Sequence, residues 1–338
     1  MTDLIGIGNA ICDILVKIDD SFFDKIPYQK ASMSLISFDE ADELLNLIQE
    51  AGYNYTISSG GSIANSVALL AEFNIDTALI GNVSDDYFGS KFVNDIEKSG
   101  VKFINLHDKQ DKNSAKCIVL VSEDGERTLC TYLGCSSYLS LNQNKDVLAK
   151  LDLAKYVYIE GYIFDNPDTT KEILNFIADN PCFHYVLSLS DKGCIERNQT
   201  VIDKIINEHA GTIIGNESEF AQLLNLNELT GNNVDNALKL FTSNQNLQNV
   251  IITMNKNGAY FADGSNITHI DTKQVKAYDS TGAGDAFAAG FLFGIVNNID
   301  AIKSCKIGNL LAQKVIQHLG ARPKIEVPVI SEEIAKIA

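Results

Sequence analysis

From residue 150 onward, short apolar runs alternate with helical patterning, and few folds accept that alternation. Residues 156–159 precede a helical stretch near 168–179, 185–188 one near 198–209, and 212–214 one near 216–225; 250–253 follow one near 234–243. Runs this short, rich in Val, Ile and Tyr and bounded by polar loops, read as strands buried on both faces. Alternating strands and helices place successive strands in one parallel sheet with helices on both sides, and ligands then gather at the carboxyl ends of the strands. Residues 4–8 and 77–81 read as further strands of this kind. A chain of 338 residues, 45% hydrophobic, can bury the core of one large domain, so an α/β fold with a doubly wound, mainly parallel sheet is expected over 1–338.

Within that frame, residues 279–291 carry the densest chemistry. Asp279, Ser280, Thr281, Gly282, Ala283, Gly284 and Asp285 run directly into an almost wholly apolar stretch ending near Val296. Thr281 is a good N-cap, and the glycines let a ligand approach the backbone. The amides of Ala283, Gly284 and Asp285 would then point outward, unpaired, at the positive end of a buried helix, where anions bind. A carboxylate beside an anion site is unfavourable for plain phosphate binding. It makes sense where Asp285 takes a proton from a hydroxyl attacking a phosphoryl group, with Gly282, Ala283 and Gly284 shaping the anion hole. A capped turn before an ordinary core helix is the bland alternative.

These residues, with others along the chain, resemble the signatures of the ribokinase-like (PfkB) sugar and nucleoside kinases, whose usual form has Thr at the place of Ser280. The resemblance implies the ribokinase-like fold, with a small β-sheet lid over the acceptor, together with ATP and Mg²⁺. Residues 59–66, including Gly60, Gly61, Ser62 and Asn65, match the family's N-terminal signature, and their context is similar to the adenosine kinase branch. By the same resemblance, Asn9, Asp13, Gly60, Gly61 and Asn65 bind acceptor hydroxyls. Asn216 reaches ATP phosphate and Glu219 holds Mg²⁺ through water, while Thr253 and Gly258 match a nucleotide loop in which Asn255 replaces a common glycine.

The lid is expected from segments about 12–36 and 114–133. Residues 117–121 and 128–132 flank the turn residues Glu123, Asp124, Gly125 and Glu126, a hairpin pattern. Arg127, just past the turn, matches a family arginine that reaches the phosphates, or else is a solvated cation. Glu160 falls at a strand end and is a possible acceptor contact. Asn309 begins the last core helix, expected at 310–319, and is a candidate edge of the adenine pocket; Arg322 reads as structural.

Composition narrows the classes. A net charge of −17 argues against nucleic acid or an anionic membrane as the main partner. Seven scattered cysteines without Cys-x-x-Cys spacing suggest reduced thiols in a cytoplasmic protein, without zinc. No apolar run reaches transmembrane length, and residues 1–18 do not resemble a signal peptide. Gly6-x-Gly8 lacks the third glycine of a dinucleotide fingerprint, and no Gly-x-x-x-x-Gly-Lys run occurs, which excludes a P-loop. The expectation is an ATP-dependent kinase, monomer or homodimer, acting on a primary alcohol, with adenosine 5′-OH as the first reading. A ribose, fructose or 2-keto-3-deoxygluconate kinase stands second, and a non-catalytic sugar- or nucleotide-binding regulator third.

Overall fold

The apolar runs pair as their composition dictates. In order, the chain forms β1 (Leu4–Ile7), β2 (Ile11–Lys17), β3 (Met33–Leu35), α1 (Phe38–Glu50), β4 (Tyr55–Gly60), α2 (Ser62–Glu72), β5 (Thr77–Gly81), α3 (Tyr87–Lys98), β6 (Lys102–Asn105), β7 (Ala115–Val121) and β8 (Arg127–Tyr132). It continues with β9 (Tyr156–Glu160), α4 (Pro167–Asp179), β10 (His184–Ser188), α5 (Lys192–Glu208), β11 (Ala210–Asn216), α6 (Glu217–Leu223) and α7 (Val234–Lys239). The last elements are β12 (Asn249–Thr253), β13 (Ala259–Asp263), β14 (Asn266–Ile270), α8 (Ala283–Val296), α9 (Ala301–Val315) and α10 (Val327–Ile337). These come from a computed structural model, which describes residues 2–106, 112–141, 144, 154–230, 233–241, 247–264 and 266–338. The end of the helix expected at 234–243 lies outside the described residues.

Nine strands form the main sheet in the order β14-β13-β12-β11-β10-β9-β1-β5-β6. All neighbours from β12 to β6 are parallel, and β13 and β14 close one edge antiparallel. Successive side chains of a strand enter opposite layers. Ile5, Val157 and Ile252 pack with α4 to α7, while Leu4, Tyr158 and Ile251 pack with α2, α8 and α9. The sheet is therefore doubly wound, as its sequence alternation requires.

A second sheet, ordered β3-β8-β7-β2-β4, stands apart from the first. It contains both expected segments and adds β4, whose mixed Tyr-Thr-Ile-Ser-Ser composition gives no clear strand signal. One face, with Ile14, Val16, Ile118 and Leu120, packs on Leu44 and Ile48 of α1. The opposite face carries Asp13 together with Leu15, Cys117, Val119 and Leu129. Tyr132 lies on the α1 side against Phe38, at 5.5 Å between ring centroids.

Helix starts differ from expectation where caps decide them. α2 begins at Ser62, directly after the glycine pair, because Gly61 at φ 92° turns the chain into it. α9 begins at Ala301, where the Asp300 carboxylate accepts from the Ile302 and Lys303 amides at 3.0 and 3.2 Å. α5 begins at Lys192 and kinks at Asn198, whose amide donates back to the Cys194 carbonyl at 3.1 Å.

The layer holding the site is tightest where α8 meets α9. A Cβ at Gly290 would stand 2.6 Å from Gly308 Cα, so these helices touch backbone to backbone. Overpacking of this sort costs about 1–3 kcal/mol. Gly290→Ala should lower the urea midpoint accordingly, and a midpoint equal to the parent's would contradict the contact.

Candidate active site

The N-terminus of α8 is built by backbone conformation rather than by a side-chain cap. Gly282, at φ 77°, is the N-cap, and Thr281 is not; the left-handed backbone suits glycine and outweighs Thr's capping preference. Asp279 shapes the approach, its Oδ1 accepting from the Thr281 amide at 3.0 Å and its Oδ2 from the Gly320 amide at 2.6 Å. Of the three amides expected to face an anion, that of Ala283 donates to Ser280 O at 3.1 Å. Those of Gly284 and Asp285 lie in the first turn, which no intrahelical carbonyl can serve.

Asp285 is held from the facing helix. Ser62 Oγ donates to Oδ1 at 2.6 Å, Asn65 Nδ2 to Oδ2 at 2.8 Å, and Ser66 Oγ to the Asp285 carbonyl at 2.9 Å. Burial raises the pKa of Asp285 above the ordinary aspartate value, opposed by the Ser62 and Asn65 hydrogen bonds and by Arg322. Arg322, which reads as structural in the sequence, enters this site. Its Nε donates to Asn65 Oδ1 at 2.8 Å and its Nη1 to Ser59 Oγ at 2.6 Å. The contacts of Ser62 and Ser66 with Asp285 are not legible in the sequence, because their partner lies more than 200 residues away.

Asp13, on the small sheet, lies within electrostatic reach of Arg322 and Asp285; burial pushes it up to about 6, with Arg322 lowering and Asp285 raising it. A Cβ on Gly60 would stand 2.2 Å from its carboxylate, so glycine is required beside it; Gly61 caps α2. Asn9 and Glu160, each 1% exposed, lie behind this wall rather than on it. Asn9 Nδ2 donates to Glu160 Oε1 at 3.0 Å and Ser136 Oγ donates to Asn9 Oδ1 at 3.1 Å, while Glu160 Oε2 accepts from the Ile63 amide at 3.3 Å. Glu160, raised to about 7 by burial, thereby anchors the start of α2. Arg127 pairs with Asp279 in this structure, joining the hairpin to the loop that leads into α8. A cavity of about 840 Å³ lies beside that ion pair, but Asp285 does not line it.

Asp285 opens instead on a cavity of about 80 Å³, lined also by Tyr158, Ser190, Asn216, Glu219, Thr253 and Gly284. Asn216 and Glu219 form a capping box on α6, with Asn216 N donating to Glu219 Oε2 at 2.9 Å and Asn216 Nδ2 to Oε1 at 2.5 Å. Burial pushes Glu219 up to about 8. Ser190 Oγ has no hydrogen-bond partner, and its backbone stands at φ 69°. No group of three or more His, Cys, Asp or Glu converges on a metal position among the described residues. Mg²⁺ fits this donor set nonetheless, because it keeps several waters and takes few protein ligands.

Farther out, Thr253 Oγ1 donates to Gly215 O at 3.4 Å, and Gly258 turns the loop at φ 82°. Asn255 stands at a positive φ of 50°, where glycine is favoured, and its amide donates to Glu217 Oε1 at 2.6 Å. Asn309 is 7% exposed and spends its amide on the Ile270 and Asp271 carbonyls at 3.4 and 3.3 Å, so it ties down the end of β14.

A family profile described as pfkB family carbohydrate kinase matches residues 30–328. The chain belongs to that family. It is an ATP-dependent kinase acting on an alcohol group. It is similar to the solved structure of a probable sugar kinase protein from Rhizobium etli CFN 42, at TM-score 0.85 and 30% identity over 100% of both chains. The adenosine kinase from Sinorhizobium meliloti superposes with TM-score 0.83 at 29% identity, covering 98% of this chain and 99% of that one. Adenosine kinase 1 of Arabidopsis thaliana is 23% identical over 334 residues, 94% of each chain. No described helix of this pfkB kinase is long and apolar enough to cross a membrane.

A methyl group at residue 60 would displace the Asp13 carboxylate. Gly60→Ala should therefore raise the acceptor KM by about tenfold or more, the loss of one charge-assisted hydrogen bond, and leave the ATP KM nearly unchanged. Equal rises in both would place the damage in the fold.

Proposed function

We propose that this kinase transfers the γ-phosphoryl group of ATP to the 5′-hydroxyl of adenosine, with Asp285 as the proton acceptor. The observation that carries the chemistry is the half-buried Asp285 carboxylate, restrained through both oxygens by α2 at the N-terminus of α8. An acceptor hydroxyl placed between Asp285 and the Gly284 and Asp285 amides loses its proton to the carboxylate as its oxygen attacks the γ-phosphorus, and the bond from that phosphorus to the bridging oxygen of ADP breaks, releasing ADP. The amides and the helix dipole stabilise charge on the transferring group. Glu219 and Asn216 would hold Mg²⁺, which supplies charge neutralisation between the phosphates. Asp13, beside Gly60 and Gly61, orients the ribose hydroxyls, and Asn65, Asn9 and Glu160 hold α2 and Asp285 in register.

Support for a nucleoside over a free sugar comes from the face of the small sheet that carries Asp13. Leu15, Cys117, Val119 and Leu129 make an apolar wall beside the carboxylate, suited to a flat base and offering no hydroxyl ligands. Tyr132 points the other way and contributes nothing to the wall. The small sheet acts as the lid, and the Arg127–Asp279 pair ties it to the α8 loop when closed. Closure excludes water, so that ATP is not hydrolysed.

Asp285→Asn keeps the shape and removes the base, so kcat should fall ~10²–10⁴-fold while both KM values move little. A kcat within a few-fold of the parent would remove Asp285 from this role. Burial raises the Asp285 pKa, and the ionised form is the active one, so kcat/KM should be lost as pH falls through a midpoint above the ordinary aspartate range.

A panel of adenosine, inosine, ribose, fructose and 2-keto-3-deoxygluconate, each with Mg-ATP, tests the acceptor. Adenosine should exceed the sugars by at least ~100-fold in kcat/KM, the ratio that about 2.7 kcal/mol of base burial gives. Preference for a free sugar would overturn the nucleoside reading and leave the kinase standing.

A further inference from the structure

Arg322 is brought into the site by two contacts of the loop that carries it. The Gly320 amide donates to Asp279, and Ala321 packs on the α8 cap so closely that a Cβ on Gly282 would stand 2.7 Å from Ala321 Cα. From there the guanidinium spans the ends of β4 and α2, donating to Ser59 Oγ at 2.6 Å, Asn65 Oδ1 at 2.8 Å and Gly60 O at 3.5 Å. Every one of these hydrogen-bond partners is neutral. Two of them lead to carboxylates, since Asn65 also donates to Asp285 Oδ2 at 2.8 Å and Gly60 abuts the Asp13 carboxylate, and both charges act on the guanidinium through space.

We propose that Arg322 is an electrostatic positioning residue for phosphoryl transfer, a single cation shared by Asp13 and Asp285 that keeps both ionised in one pocket. This rests on the reading of Asp285 as the base and Asp13 as the acceptor ligand. Two carboxylates facing one pocket repel, and without a cation one of them takes up a proton. Either protonation is harmful, because neutral Asp285 cannot accept a proton and neutral Asp13 binds hydroxyls less strongly.

The other charges around Arg322 do not replace it. Asp95 of α3 lies within its field but is already paired with Lys91 at 3.1 Å and accepts from the Ser59 amide at 3.3 Å. Glu72 of α2 and the Cys12 thiol of β2 are raised above their ordinary values by burial, so they add little negative charge. Around Asp285 stand Glu160, Glu219 and Tyr158, each raised by burial, and none brings positive charge. Arg127 acts on Asp13 only from a distance, being paired with Asp279. Burial lowers Arg322 itself to about 10, so it stays charged at neutral pH.

The test is the acid limb of kcat/KM for the acceptor, measured at saturating Mg-ATP. Arg322→Gln keeps donors for Asn65 and Ser59 but removes the charge, so the midpoint should move to higher pH by about one unit or more. Arg322→Lys keeps the charge and should hold the midpoint near the parent's, although it loses the fork to Asn65 and Ser59. Asp13→Asn relieves the repulsion and should move the midpoint the other way, so that a fixed midpoint there counts against the proposal even where Arg322→Gln yields no folded protein. A purely structural arginine would lower activity uniformly with the midpoint fixed, and a fixed midpoint in Arg322→Gln or in Asp13→Asn overturns the proposal. Parental kcat in Asp285→Asn would instead overturn the base assignment, an outcome read without reference to either midpoint.

Discussion

The joint between α2 and α8 is the contact on which the rest of this structure depends. Two glycine-containing turns, one before each helix, bring two N-termini face to face, and Ser62, Asn65 and Ser66 hydrogen-bond across the gap to Asp285. Each helix has a buried reason to stay in place. α8 is locked to α9 through Gly290 and Gly308, and the start of α2 is anchored by Glu160 from the end of β9. The carboxylate is therefore positioned by the core of the large sheet, although it stands at the edge of a cleft. Such support from rigid elements is what a proton acceptor needs in order to meet a hydroxyl in reactive geometry.

Negative charge is the second organising constraint. Asp13, Asp285, Glu160 and Glu219 all lie in or just behind the site, and burial raises every one of them. A site so arranged is incomplete without cations, and the residues around it indicate where each belongs. Arg322 serves the acceptor side, Arg127 links the hairpin to Asp279, and the Glu219 side suits a divalent ion that arrives with the nucleotide. A chain of net charge −17 with only Arg127, Arg197 and Arg322 as arginines places two of them around this one site.

What could be read from the sequence was what local physics decides. Strand–helix alternation fixes the doubly wound sheet, and the run from Asp279 to Asp285 marks a helix N-terminus even though Gly282 and not Thr281 caps it. The hairpin of β7 and β8 was legible from its turn, whereas β4 was hidden by its polar composition. Partnerships across the fold were not legible. Arg322 meets Asn65 across 257 positions, and Ser62 meets Asp285 across 223, distances at which spacing carries no information. Polar residues singled out as ligand contacts also have partners inside the protein, as with Asn9 on Glu160, Asn309 on the end of β14, and Asn216 with Glu219.

The central claim is that Asp285 is a carboxylate held out of its ordinary solvent environment and poised to take a proton. Carboxyl ¹³C NMR titration of selectively labelled protein, with Asp285→Asn to identify the resonance, measures this without turnover. The account predicts a midpoint clearly above the ordinary aspartate value of about 3.9. A midpoint at or below that value would contradict it, leaving Asp285 as an ordinary first-turn carboxylate favoured by the helix dipole.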